Sequence, residues 1–157
     1  MWAKEIGRKI QEMGKITVIS EGHVCASACV YIFGSGTERW MSRKTWIGIH
    51  GARLGNGYTV NFIGKCFDVD GDVATLNESK EGCNEFLEYW YQIVYNETRQ
   101  AFLLIESAGV SSMLFEHYIQ LPDDPQWFMR ANILKTEDWV VSPEQALEFN
   151  LATKITD

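Results

Sequence analysis

Positive charge is what this sequence has least of. Its 157 residues carry 14 Lys and Arg against 21 Asp and Glu, a net charge of −7, and no basic cluster offsets that deficit. A nucleic-acid-binding surface is argued against on that ground, because neutralising phosphates requires concentrated Lys and Arg. No apolar run approaches the roughly 18 residues of a membrane span. The segment from Met1 to Met13 holds Lys4, Glu5, Arg8, Lys9 and Glu12, so it has no continuous apolar stretch of the signal-peptide kind. Metal-site spacing is missing too. His23, Cys25 and Cys29 match no common zinc pattern and lack an evident fourth ligand. Asp68, Asp70 and Asp72 resemble a calcium loop, but Gly71 is misplaced and Ser79 stands where a bidentate glutamate belongs. No metal and no other cofactor is expected.

What is present fits one domain. The length allows a buried core without staples, and 46% hydrophobic with 22% charged residues is ordinary for a globular protein. Six tryptophans are more than such a domain usually needs. They fit either a subunit interface or groove, or plain core packing. Four cysteines (Cys25, Cys29, Cys66, Cys83) permit two disulfides without requiring them. A bridge across Cys25 and Cys29 would lock the turn between them, and one across Cys66 and Cys83 would close a modest loop.

The stretch Cys25-Ala26-Ser27-Ala28-Cys29 organises the chain. A serine between two alanines, at the end of a β-like run and the start of the apolar run Val30 to Phe33, has an accessible hydroxyl. Small neighbours let a substrate backbone approach, and a helix starting there aims N–H groups at developing negative charge. Downstream, Trp46 to His50 reads as a short buried strand delivering a histidine at its end. The pair suggests nucleophile and base. Ser27 also fits an ordinary helix N-cap, and His50 a satisfied strand-end histidine.

Around these, Trp2, Ile6, Ile10 and Met13 recur at helical spacing, with Gly14 as a stop. Ile16 to Ser20 is β-branched and short, hence a strand. His23 reads as a loop residue. Asn56-Gly57 is a turn signal before an alternating strand, Tyr58 to Ile63, within a solvated, hairpin-like insertion bracketed by Cys66 and Cys83. Such an insertion would either overhang a cleft or decorate the surface. Glu81 to Ser107 is the clearest helix, with Phe86, Tyr89, Trp90, Ile93, Val94, Phe102 and Leu103 at three- and four-residue steps. Ser111-Ser112 opens another, carrying Met113, Leu114, Phe115, Tyr118 and Ile119, with His117 at the surface or core edge. Leu121 to Pro125 breaks the pattern.

The ordered set of Ala3 to Met13, Ile16 to Ser20, Ser27, Val30 to Phe33, Gly36 and Ile47 to His50 resembles the ClpP/crotonase superfamily, nearest its ClpP-like serine peptidase branch. More narrowly it is similar to predicted periplasmic ClpP-like proteins with a Cys-x-Ser-Ala-Cys signature. The tail from Trp139 to Thr153 resembles the closing unit of that family. There a short strand meets a Ser/Thr-capped helix, and Asn150 stands for the usual glycine. The resemblance implies an α/β fold of repeated β-β-α units, one domain over 1–157, with residues 52–84 inserted after the histidine strand. It also implies a triad of Ser27, His50 and Asp138, with Asp123 and Asp124 as rivals for the third place, and the Ala28 N–H as oxyanion donor. The family's first strands, ending in a glycine pair that supplies more of the oxyanion hole, have no counterpart before Trp2. The expectation is therefore a fragment of a longer protein, or a chain lacking half of that hole.

The implied activity is peptide (acyl) hydrolysis, with a peptide or protein substrate and a homo-oligomeric state. The alternative is a catalytically silent oligomeric binding or scaffold module, with a crotonase-type acyl-CoA enzyme as a weaker third. A periplasmic or other extracytoplasmic location follows from the resemblance and the even cysteine count. The alternative is cytoplasmic.

Overall fold

A computed structural model describes residues 2–51, 66–70, 73–77, 82–120 and 139–157. The expected turn at Asn56-Gly57, the strand at Tyr58 to Ile63, the break at Leu121 to Pro125, and Asp123, Asp124 and Asp138 lie outside those residues. The fold is mixed α/β. Helix α1 (Trp2–Glu12) leads to strands β1 (Thr17–Ile19) and β2 (Val24–Ala26), helix α2 (Ala28–Gly34), then β3 (Arg39–Ser42) and β4 (Trp46–Ile49). A hairpin of β5 (Phe67–Asp70) and β6 (Val73–Leu76) precedes the long helix α3 (Cys83–Glu106) and the short α4 (Met113–Ile119). Strand β7 (Trp139–Val141), helix α5 (Pro143–Glu148) and β8 (Lys154–Thr156) close the chain.

Consecutive strands divide between two small sheets. One has the order β1-β3-β8, all parallel, and the other the order β2-β4-β7, with β2 and β4 parallel and β7 antiparallel. Their inward residues, among them Ile19, Met41, Cys25, Ile47, Ile49 and Val141, join a core with Val30, Tyr31 and Phe33 of α2. Helix α3 brings Val94, Ala101, Phe102 and Ile105 to this core, and α4 brings Leu114, Phe115 and Tyr118. Phe102 packs on Phe115 at 5.1 Å between centroids and stacks on Tyr118 at 5.9 Å. Of the residues whose spacing marks these two helices, Val94, Phe102, Leu114, Phe115 and Tyr118 land in the core, whereas Tyr89, Leu103 and Met113 stay exposed.

Helix α1 forms as its spacing predicts, but with another face inward. It buries Ala3 and Gly7, while Trp2 is 84% exposed and Met13 62%. The reason is the closeness of its neighbours. A Cβ on Gly7 would come within 2.5 Å of the Ser35 hydroxyl and 2.8 Å of Leu104, so only a small-residue face fits there. Gln11 reinforces the approach, its amide donating to the Leu104 carbonyl at 2.8 Å.

Three helix ends converge on one buried side chain. Arg39, 1% exposed, donates through its guanidinium to the carbonyls of Gly36 (2.6 Å), Ala108 (2.9 Å) and Asn150 (3.0 Å). These carbonyls lie two residues past the ends of α2, α3 and α5, where helices leave acceptors unsatisfied and dipoles point their negative ends. Among the described residues no carboxylate pairs with Arg39, and burial lowers its pKa from the ordinary value. At the last of these ends, Asn150 takes the left-handed conformation (φ 51°) expected of a glycine substitute. Ser142 caps α5 in a reciprocal box with Gln145.

Candidate active site

Strand β2 ends one residue before Ser27, and β4 ends one residue before His50. The two strands are parallel neighbours with Ala26 opposite Gly48, so both chains leave the sheet at the same end. Neighbouring strands lie about 4.8 Å apart, and the Ser27 N–H still donates to the Gly48 carbonyl at 3.0 Å. The serine and the histidine are therefore delivered side by side, with His50 one step further along.

Ser27 has φ 60° and ψ −127°, a conformation that L-residues avoid and glycine favours. It precedes α2 at the N-cap place, yet its hydroxyl makes no capping hydrogen bond. An N-cap serine takes extended dihedrals and accepts from the second or third helical N–H. Ser27 does neither, so the N-cap alternative does not describe it. Its position is braced by a disulfide between Cys25 and Cys29, whose Cα atoms are 5.3 Å apart. Cys25 is fully buried and Cys29 faces solvent. That bond occupies both thiols the zinc reading would need.

His50 is half-buried, and its Nδ1 lies 2.7 Å from the Gly51 carbonyl oxygen. A carbonyl only accepts, so Nδ1 carries the proton of the neutral ring and Nε2 is its basic nitrogen. The N–H of Ala28, first residue of α2, belongs to the turn whose donors have no partner inside a helix.

The other sequence candidates separate from this place. His23 sits exposed between β1 and β2, with Nδ1 3.1 Å from the Glu21 carbonyl. His117 is exposed on α4, 5.0 Å from the Trp139 ring and 5.6 Å from Phe149. Cys66 and Cys83 form the second disulfide, with Cα atoms 5.6 Å apart, joining the start of the β5–β6 hairpin to the first residue of α3. Tyr31 is the residue sequence reasoning passed over, because it reads as one more apolar position of α2. Its hydroxyl donates to the His50 carbonyl at 3.3 Å. The only signal was a phenol, rather than a phenyl, four residues after the serine.

No protein-family model matches the chain, and no curated protein does. Among solved structures, a mutant of the 1510-N membrane-bound stomatin-specific protease is similar at 16% identity and a TM-score of 0.48. That alignment covers 98% of this chain and 56% of the other. A second mutant of that protease, in complex with a substrate peptide, aligns at 19% identity and a TM-score of 0.38, covering 98% of this chain and 53% of the other. The chain spans about half the length of the structures it matches. Among the described residues no helix is long and apolar enough to cross a membrane.

Proposed function

We propose that the chain carries the site of a ClpP-like serine hydrolase acting on peptide bonds, with Ser27 as nucleophile, His50 as base and Asp138 as the third member. The observation that carries this is Ser27 itself. A non-glycine residue is held in a costly conformation with its hydroxyl unused by the helix behind it, beside the strand that ends at a histidine. Strain of this kind persists where surrounding structure enforces it, and here the serine hydroxyl makes no capping hydrogen bond.

In this mechanism Ser27 Oγ attacks the peptide carbonyl carbon while His50 Nε2 takes the hydroxyl proton. The oxyanion forms against the Ala28 N–H. His50 then gives the proton to the leaving amine, and a water molecule deacylates Ser27 by the reverse sequence. The Gly51 carbonyl fixes the neutral tautomer. A carboxylate is needed to stabilise the imidazolium. Asp138 is assigned to it because β7 begins at Trp139, which pairs with Ile49 directly before His50. The split of consecutive strands between two sheets supports the repeated β-β-α reading of the fold.

A second reading, a catalytically silent oligomeric scaffold of the same fold, draws on the exposed apolar residues Trp2 and Ile6 of α1 and Met13 just after it. A fluorophosphonate probe separates the two. The hydrolase reading expects covalent labelling at Ser27 that His50→Ala abolishes. A form of the protein extended on its amino-terminal side that takes up no label would leave the scaffold reading.

The location proposed is extracytoplasmic, since both cysteine pairs are joined and such bonds persist in oxidising compartments. Protein taken from its cell of origin with thiols blocked at lysis is expected to show no alkylated cysteine by mass spectrometry. Alkylation at all four would place it in the cytoplasm.

A further inference from the structure

The ladder between β2 and β4 stops short of the histidine. Its last pair is Ala26 with Gly48, and one more backbone bond, from Ser27 N–H to the Gly48 carbonyl, closes it. His50 lies two residues beyond. The next link between the two segments is made by a side chain, from Tyr31 Oη to the His50 carbonyl at 3.3 Å. Tyr31 sits on α2 one helical turn after Ser27, so the group holding the base's backbone rides on the helix that begins directly after the nucleophile.

From this geometry we infer that Tyr31 is a positioning residue, whose hydroxyl sets the register of His50 against Ser27. The inference deepens the hydrolase reading and rests on it for its catalytic consequence. Everything around the ring restricts it. Tyr31 is 4% exposed, meets Phe102 edge-on at 5.8 Å, and its own carbonyl accepts the hydroxyl of the fully buried Ser35 at 2.6 Å. A phenol buried this way needs a partner for its hydroxyl, and the partner it has is the histidine's carbonyl. Burial also raises its pKa above the ordinary value, so the hydroxyl keeps its proton at neutral pH. Proton transfer is sensitive to displacements of an ångström, which are worth up to about 10²-fold in rate.

The test compares Tyr31→Phe with Thr17→Val. The second also removes a hydroxyl-to-carbonyl bond onto α2, from Thr17 Oγ1 to Phe33 at 2.7 Å, but without touching His50. Expected for Tyr31→Phe is a roughly tenfold slower labelling of Ser27 at saturating probe, with the half-saturating concentration unchanged. Thr17→Val should label at the wild-type rate after a similar loss of thermal stability. The chain has three histidines, so the His50 ring resonance is assignable in protein carrying ¹³C-histidine. It should shift or broaden in Tyr31→Phe and stay in place in Thr17→Val. An unmoved His50 resonance, or labelling rates that fall equally in both variants, overturns the inference. Wild-type protein extended on its amino-terminal side that takes no label would overturn the hydrolase reading, and the His50 resonance would still decide whether Tyr31 sets its position. Should Tyr31→Phe not fold, 4-methylphenylalanine at position 31 fills the hydroxyl's space without a donor, and the same outcomes apply.

Discussion

Replacing Arg39 with methionine is expected to destabilise the fold by about 3–5 kcal/mol, the range seen when one partner of a buried charged interaction is removed. Methionine keeps much of the length and apolar stem of arginine, so the loss reports the guanidinium rather than a cavity. That group satisfies three carbonyls at once, a buried one on Gly36 and part-buried ones on Ala108 and Asn150. Each buried acceptor left without a donor costs roughly 1–3 kcal/mol. The three lie past the C-terminal ends of α2, α3 and α5, so the same cation also offsets three converging helix dipoles. Lysine should recover only part of the stability, because a single ammonium on a shorter side chain lacks the planar fork that spans the acceptors. Thermal unfolding checks this. A fall of roughly 10 °C or more is expected for Arg39→Met in a chain of this size, with Arg39→Lys between it and the wild type. A methionine variant within about 1 kcal/mol of wild type would mean that water serves those carbonyls instead, and the convergence on Arg39 would lose its energetic meaning.

That node was not readable in the sequence, and the reason is physical. Glu38-Arg39 looks like the surface charge of a loop, since arginine is almost never fully buried. Only the meeting of helix ends from distant parts of the chain supplies enough acceptors to hold it there. Features set within a few residues were readable. Gly14 stops α1 with φ 57°, Asn150 takes its left-handed place, and Ser142 caps α5. The long helix stands at Cys83–Glu106, within the stretch its periodicity marks. The inward face of α1 was not readable, because Trp2, Ile6 and Met13 outweigh Ala3 and Gly7 in any hydrophobic pattern. What decides that face is the closeness of Ser35 and Leu104, which are far along the chain. The candidate site divides the same way. Small residues around Ser27 and a histidine ending a buried strand are local signals. The backbone torsion of Ser27 and the hydrogen bond from Tyr31 to His50 depend on how β2, α2 and β4 assemble.

The torsion gives the second large effect. Ser27→Gly is expected to make the protein more stable and Ser27→Ala to leave it near wild type, while under the proposed mechanism both lower hydrolysis by on the order of 10⁴-fold or more. Alanine carries the same Cβ and so keeps the strain at φ 60°, ψ −127°. Glycine relieves it, which is worth about 1–3 kcal/mol, against the roughly 0.5–1 kcal/mol of extra chain entropy that glycine loses on folding. The net gain should be about 1 kcal/mol, a rise of about 2–4 °C in melting temperature for a chain of this length. The disulfide between Cys25 and Cys29 holds the turn in this conformation, so the gain should shrink when that bond is reduced. The comparison needs no substrate. If Ser27→Gly melts at or below Ser27→Ala, the turn is not strained, and the observation on which the nucleophile assignment rests is withdrawn. If it melts above, the serine is kept at a position where glycine would fold better, and stability cannot be what keeps it there.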